Sequence, residues 1–257
     1  TSIDTAKTTT SKMVARRLLY GRGWAHEELA AAMSGENPMA AIQGMVDNYW
    51  NRFINKVIFY SIKGVITDNI TNDSSSLVKD ITTTGTPGAT NKISASALID
   101  AAALAGDQLD KFVGIAVNSA VYATMLKNDA IVYLKDSTGT LSIPTFMGLR
   151  VIVDDGLAYD TDGSNKEYWS ILFRAGAIGY GESANRITPV EVDRDAAKSE
   201  DKLYTRRQFS VLPLGFKWLE SSVNDDIPTL DEIQSGGNWD RVYNVKNCGF
   251  TVLISNG

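Results

Sequence analysis

His26 is the chain's single histidine, and Glu27-Glu28 follow it. No second histidine comes four residues later, so this is not the metal-binding helix of a zinc protease. Asp154-Asp155, at the end of an apolar run, has the residue types of a paired acid and base. A small hydrolase built on Asp154, Asp155 and His26 needs all three within hydrogen-bond reach, and the sequence puts them on unrelated segments. The plainer readings are a turn at Asp154-Asp155-Gly156 and a solvent-facing His26. Gly176-Ala-Ile-Gly179-Tyr-Gly181 has the wrong order for a dinucleotide fingerprint and reads as a tight turn needing positive φ. In Asp160-Thr-Asp162-Gly163-Ser-Asn165-Lys-Glu167 the glycine is fourth, where a calcium loop has it sixth, so a hairpin tip is expected. Cys248 shares an alternating face with Phe250, Val252 and Ile254, which suits a core thiol better than a nucleophile. No catalytic residue, metal ligand or cofactor-binding residue is expected, and no cofactor.

The composition supports that reading. The 257 residues suffice for one to two domains, and 44% apolar with 21% charged residues is ordinary globular composition. The net charge of −5 argues against nucleic-acid binding as the main role. One cysteine excludes an internal disulfide framework, and one histidine with it cannot complete a structural zinc site. No apolar run is long enough to span a membrane, and no membrane partner is expected. The first residues lack the pattern of a secretory signal, and no initiator Met is present, so a processed chain or a fragment is expected.

The charge is split. Residues 1–66 hold eight basic and five acidic side chains, a balance of +3, and residues 67–257 hold seventeen and twenty-five, a balance of −8. Between Thr5 and Ala25 there is no acid, while Lys7, Lys12, Arg16, Arg17 and Arg22 lie there. A basic head on an acidic body fits a nucleic-acid tail, or one copy's head lying on another copy's body.

The elements follow from periodicity. Met13–Tyr20 reads as a strand, and Ala25–Met33 as a short helix. Asn37 and Pro38 have the residue types of an N-cap and a first helical position. After them Met39, Ile42, Val46, Tyr49, Trp50, Phe53, Val57, Ile58, Ile62 and Ile66 recur at helical spacing. This predicts a helix from Pro38 to about Val65, roughly 40 Å long. Asp47, Asn48, Asn51, Arg52, Asn55 and Lys56 keep one of its faces wet. Residues 67–97 are mostly Ser, Thr, Asn, Asp, Gly and Pro and read as a surface excursion holding a strand at Leu77–Ile81. Further on come helices capped by Ser94 or Ser96, by Ser119 and by Thr229, and strands at Phe112–Val117, Leu149–Val153, Tyr168–Phe173, Ile187–Val192 and Leu203–Leu219. Pro213 marks a bend or an edge in the last of these, and Asp193–Asp201 reads as a charged loop. Helices and strands mix without a strict alternating rhythm, which is α+β organisation.

Seven stretches carry a family resemblance. They are Asn37–Ile42 with Tyr49-Trp50-Asn51-Arg52, Asn118–Tyr122, Gly148–Gly156, Gly176–Gly181, Glu191–Asp195, Arg206–Phe209 and Asn238–Tyr243. In this order and spacing the chain resembles the major capsid proteins of tailed bacteriophages with the Hong Kong 97-type fold. The resemblance implies an α+β capsid fold with a long spine helix, a peripheral domain and an axial domain. Residues 1–24 would be part of an extended hairpin, 25–66 with 186–220 the peripheral domain, and 67–185 with 221–257 the axial domain. The implied function is self-assembly, as hexamers and pentamers of the same chain, into an icosahedral shell enclosing phage DNA. A scaffolding protein and a portal would be partners, and packaged DNA would touch the inner face weakly. The implied location is the virion capsid, assembled in the bacterial host cytoplasm.

Such proteins usually carry an arm and a long hairpin before the spine helix, so a truncated form is expected here. The expected inter-subunit contacts are Lys12, Arg16, Arg17 and Arg22 lying across a neighbour, Asn51 and Arg52 on the wet side of the spine helix, and Asp193, Arg194 and Asp195 at the peripheral tip. The rival readings are an encapsulin-like compartment of the same fold, the hydrolase above, and a nucleic-acid-binding module using the basic head.

Overall fold

The computed structural model describes residues 11–27, 33, 38–128, 130–135, 142–160, 165–183 and 188–256. The strands in chain order are β1 (Arg17–Glu27), β2 (Val78–Asp80), β3 (Phe112–Val117), β4 (Val132–Lys135), β5 (Ser142–Phe146), β6 (Leu149–Val153) and β7 (Ala158–Asp160). After these come β8 (Glu167–Arg174), β9 (Ile178–Glu182), β10 (Val190–Asp195), β11 (Glu200–Pro213), β12 (Phe216–Trp218), β13 (Trp239–Arg241) and β14 (Phe250–Ser255). The helices are α1 (Pro38–Asn72), α2 (Ala95–Ala103), α3 (Ser119–Lys127) and α4 (Leu230–Gln234).

Two larger sheets and the long α1 organise these elements. In the four-stranded sheet β11 is central, with β1 along one edge and β10 followed by β9 along the other, all antiparallel. The eight-stranded sheet runs β2-β14-β8-β3-β6-β5-β4, with β7 also on β8, and is parallel only at β14/β2 and β3/β6. A short β12/β13 ladder lies apart from both. Alternation along strands divides the core. On β14, Phe250, Val252 and Ile254 join the cluster that includes Val57, Ile62, Val65 and Ile66 of α1 and Phe209 and Val211 of β11. Leu253, on the opposite face, joins Leu98 and Ala101 of α2 and Val121 and Met125 of α3. The eight-stranded sheet is therefore covered on both faces, and α1 bridges the two sheets.

The mixed α+β architecture is as expected, and α1 begins at Pro38; Asn37, the expected cap, lies outside the described residues. Four local expectations are corrected. First, α1 runs to Asn72, seven residues past Val65. That polar end is helical because its side chains find partners: Thr67 and Thr71 hydroxyls donate to the carbonyls of Lys63 and Thr67, and Asn72 donates to Asp68. Second, Ala25, His26 and Glu27 continue β1 in register with Lys202, Asp201 and Glu200, so pairing along β11 outweighs their helical pattern. Residues 28–32 of that expected helix lie outside the described ones.

Third, Asp193–Asp201 is a hairpin whose strands run to Asp195 and resume at Glu200, with Asp195 Oδ1 accepting from the amides of Ala197 and Lys198. Fourth, the expected Leu203–Leu219 strand is two strands, because Pro213 ends β11 and Gly215 turns at φ +98°. The glycine cluster is likewise divided. Gly176 turns at φ +74°, but Gly179 and Gly181 are inside β9.

The caps mostly match expectation. Ser94 caps α2, and Asn118 caps α3 one residue earlier than Ser119. Thr229 and Glu232 form a reciprocal capping box on α4. Thr229→Ala should therefore cost about 1 kcal/mol, read as a lower urea midpoint. The backbone amides of Thr229 and Asn224 hold the Glu232 carboxyl below its ordinary value. Its stabilising contribution is thus complete above the ordinary glutamate range and is lost as pH falls through the lowered value. The Thr229→Ala deficit should shrink over that window.

Candidate assembly interface

Four-stranded sheets with two free edges invite further strands, because the outer backbone groups are unpaired. Among the described residues β1 and β10 each pair with β11 alone, so both outer edges are open. The two edges differ in charge. Arg17 and Arg22 are exposed on β1, while β10 reads Val-Glu-Val-Asp-Arg-Asp. Val190 and Val192 on β10 are 57% and 65% exposed, which is high for a β-branched strand residue.

The expected contact residues are distributed as follows. Arg16 is engaged inside its own chain, donating to the Glu220 carboxylate and the Asp226 carbonyl. The guanidinium of Arg22 lies 5.8 Å from the Tyr49 ring centroid. Lys12 and Arg17 are exposed with no ion-pair partner among the described residues. Asn51 and Arg52 lie exposed on α1. Asp193 accepts from the Arg194 amide at 2.9 Å. Asp195 accepts from Lys202 at 3.0 Å, which holds the carboxyl below its usual range and raises the Lys202 ammonium.

A second set of charges locks this surface, and of its members only Glu182 was not singled out in the sequence. Arg207 reaches Asp47 on α1 at 3.4 Å and Glu182 on β9 at 3.2 Å. The Tyr180 hydroxyl, then Arg207, holds the Glu182 carboxyl below its ordinary value. Arg206 reaches Glu191 at 3.0 Å. Trp50 donates its indole N–H to Thr205 at 2.9 Å, pinning α1 to β11. These partners are 15 to 160 residues apart in sequence, so spacing could not reveal them.

The hydrolase constellation is not assembled. His26 sits on β1 opposite Asp201, in the four-stranded sheet. Asp154 spends an oxygen capping the Gly156 amide at 2.7 Å, and Asp155 accepts from Ser119 N at 3.3 Å. Burial pushes the Cys248 thiol up to about 11, the setting of a core thiol rather than a nucleophile. Among the described residues no group of three or more His, Cys, Asp or Glu gathers as a metal site, and no helix is long and apolar enough to cross a membrane. Of the calcium-like loop, residues 161–164 lie outside the described ones.

Comparisons with known proteins point one way. A family model described as Major capsid protein 13-like (Gp13-like) matches residues 28–249. The major capsid protein of Bacillus phage SPP1 is 36% identical over 230 residues, which is 89% of this chain and 68% of that protein. The capsid of Ralstonia phage GP4 superposes with a TM-score of 0.60 at 7% identity, over 95% of this chain and 74% of that one. The holo-SrpI encapsulin complex from Synechococcus elongatus PCC 7942 gives 0.51 at 7% identity, over 93% and 74%. At such identities the structural likenesses speak for the fold alone.

Proposed function

From the premise that this chain belongs to the Gp13-like family of phage major capsid proteins, we infer how one copy meets the next. The chain is a structural capsid protein of Hong Kong 97-type fold, and proteins of this kind assemble with copies of themselves into shells. We propose that the basic outer edge of β1 in one copy pairs with the acidic outer edge of β10 in the next. Such a head-to-tail contact is heterologous, and it closes into a ring when the rotation between copies fits. The observation that carries this reading is the opposite charge of two open edges on one sheet. Arg17 shares a sheet face with Glu191 and Asp193 and meets them across the contact, while Arg22, on the opposite face over the Tyr49 ring, adds positive charge on the side where Val190 and Val192 supply the apolar part. Lys12, Arg194 and Asp195 border it, and Arg16 supports it from within by holding Glu220.

On this reading α1 is the spine of a peripheral unit formed by residues 25–66 and 186–220. Pairing of β1 and β9 with β11 adds residues 17–24 and 178–182 to that unit. The remainder of 67–185 with 221–257 is the axial unit, which gathers copies into hexamers and pentamers. The shell is icosahedral and encloses phage DNA, with a scaffolding protein and a portal as partners and the host cytoplasm as the place of assembly. The encapsulin alternative has only a fold likeness behind it, whereas the phage reading has a relative by sequence.

A charge exchange tests the contact. Arg17→Glu with Arg22→Glu should cut shell yield at least about tenfold, the effect of roughly 1.4 kcal/mol per contact. Adding Glu191→Lys and Asp193→Lys to the same chain should restore shells in electron micrographs. Wild-type yield should fall as salt rises, since screening acts over about 8 Å at physiological ionic strength. Unchanged yield in the first variant, or no recovery in the second, would exclude this pairing.

A further inference from the structure

Along α1 there is no acid between Asp47 and Asp68, while Arg52, Lys56 and Lys63 fall in that stretch of a chain whose net charge is −5. Their spacings of four and eleven residues keep them within about 40° on the helix surface, over roughly 16 Å of axis. Arg52 and Lys56 are exposed, and Lys63 is half-buried with its ammonium 3.2 Å from the Ala158 carbonyl. None of the three has an ion-pair partner among the described residues, whereas Arg206, Arg207, Lys217 and Arg241 all do. The Tyr60 ring stands between the lysines, 5.5 Å from the Lys56 nitrogen and 5.6 Å from that of Lys63.

The stretch borders a groove of about 480 Å³ lined by Arg52, Asn55, Lys56, Tyr60, Lys63 and Asp154, among others. The two acids on its rim, Asp154 and Asp155, are turned to the backbone amides of Gly156 and Ser119. Asn48, Asn51 and Asn55 add exposed amide donors.

We propose that this face of α1 is a nucleic-acid backbone contact, in which Arg52, Lys56 and Lys63 meet phosphates and the neighbouring asparagines donate to phosphate oxygens. The sequence-independent chemistry fits, because phosphate contacts need cations and amide donors. About 16 Å of duplex presents roughly ten phosphate charges, enough to engage all three cations in one pass. A protein partner fits less well. Interface centres rest on exposed apolar anchors, and the only large apolar side chain exposed on the described part of α1 is Met45. The identity of the polyanion as packaged DNA rests on the shell reading above, and if it holds, this face of α1 lines the inside.

The test titrates a short fluorescent DNA duplex onto the purified chain and onto empty shells across a salt series. Three phosphate contacts predict that log K falls with log salt at a slope of about −2.7. In Arg52→Gln/Lys56→Gln/Lys63→Gln the slope should collapse towards zero and low-salt affinity should drop at least tenfold. The exposed pair Arg52→Gln/Lys56→Gln should lose most of the effect with an unchanged urea midpoint, and Arg52→Lys should keep it. Equal slopes in wild type and variant, no binding of the duplex by wild type, or tighter binding of a polyglutamate peptide than of DNA would each overturn the proposal. Electron micrographs of the same preparations keep the two readings apart. Shells that form normally while the duplex titration is unaffected remove this contact only, and a chain that forms no shells still reports on the duplex.

Discussion

Gly64→Ala is expected to destabilise the chain by about 2–4 kcal/mol, although alanine is the better helix former by about 1 kcal/mol. Gly64 is in the interior of α1, where a glycine needs a reason. A Cβ there would lie 2.4 Å from the Ile233 carbonyl oxygen and 2.4 Å from the Trp239 indole nitrogen. Those two atoms bond each other at 2.8 Å directly over the helix. The methyl group must either push α4 and β13 away from α1 or break that bond and leave a buried donor and acceptor unpaired. Either outcome also disturbs the Trp218–Trp239 edge contact, whose centroids are 4.9 Å apart. Urea unfolding at neutral pH measures the effect, and Gly64→Val should give no folded chain. Wild-type stability in Gly64→Ala would mean that α4 does not pack on the helix as described.

A loss of about 3 kcal/mol is expected for Asp73→Ala, just beyond the end of α1. Asp73 receives two hydrogen bonds from Arg241, at 2.9 and 3.0 Å, and the pair is about one-fifth exposed on each side. Removing one partner of such a pair leaves the other charge poorly solvated, which costs about 3–5 kcal/mol in full burial and less here. Asp73 also accepts from Asn69, which is fully buried and whose side-chain oxygen takes the Leu77 amide at 2.9 Å. The cluster ties the exit of α1 to β2 and to β13. The paired replacement Asp73→Leu with Arg241→Met should be milder than Asp73→Ala alone, because it strands no charge. If the single variant unfolds at the wild-type urea midpoint, the clamp is not stabilising.

The interface residues were legible to different degrees. Arg17 and Arg22 stood out because residues 5–25 hold cations and no acid. Arg16 belonged to the same cluster, yet its acid is 204 residues away in its own chain. No spacing rule reaches a partner at that separation. Lys56 was visible on the wet face of the helix and Lys63 was not singled out, and their lack of ion-pair partners among the described residues is a tertiary fact. Asp193 and Asp195 looked like loop charges because a run of polar residues suggests exposure and says nothing of strand pairing. Only alignment with Lys202 and Glu200 of β11 makes them the acidic end of an edge strand.

By itself the amino-acid sequence determined where local periods are strong and local caps are available. The 3.6-residue apolar period of α1, the apolar run Phe112–Val117, the alternation of Phe250, Val252 and Ile254, and the caps at Ser94 and Thr229 all depend on neighbours within a few residues. The order of those segments was enough to indicate the capsid fold. Tertiary structure alone decided the last two turns of α1, the conversion of Ala25–Glu27 to strand, the inclusion of β9 in the β11 sheet and the pairing of Arg16 with Glu220. In each of these the local preference was weak or pointed elsewhere. Hydrogen bonds and burial supplied by segments distant in the chain then outweighed it, by amounts that no short stretch of sequence records.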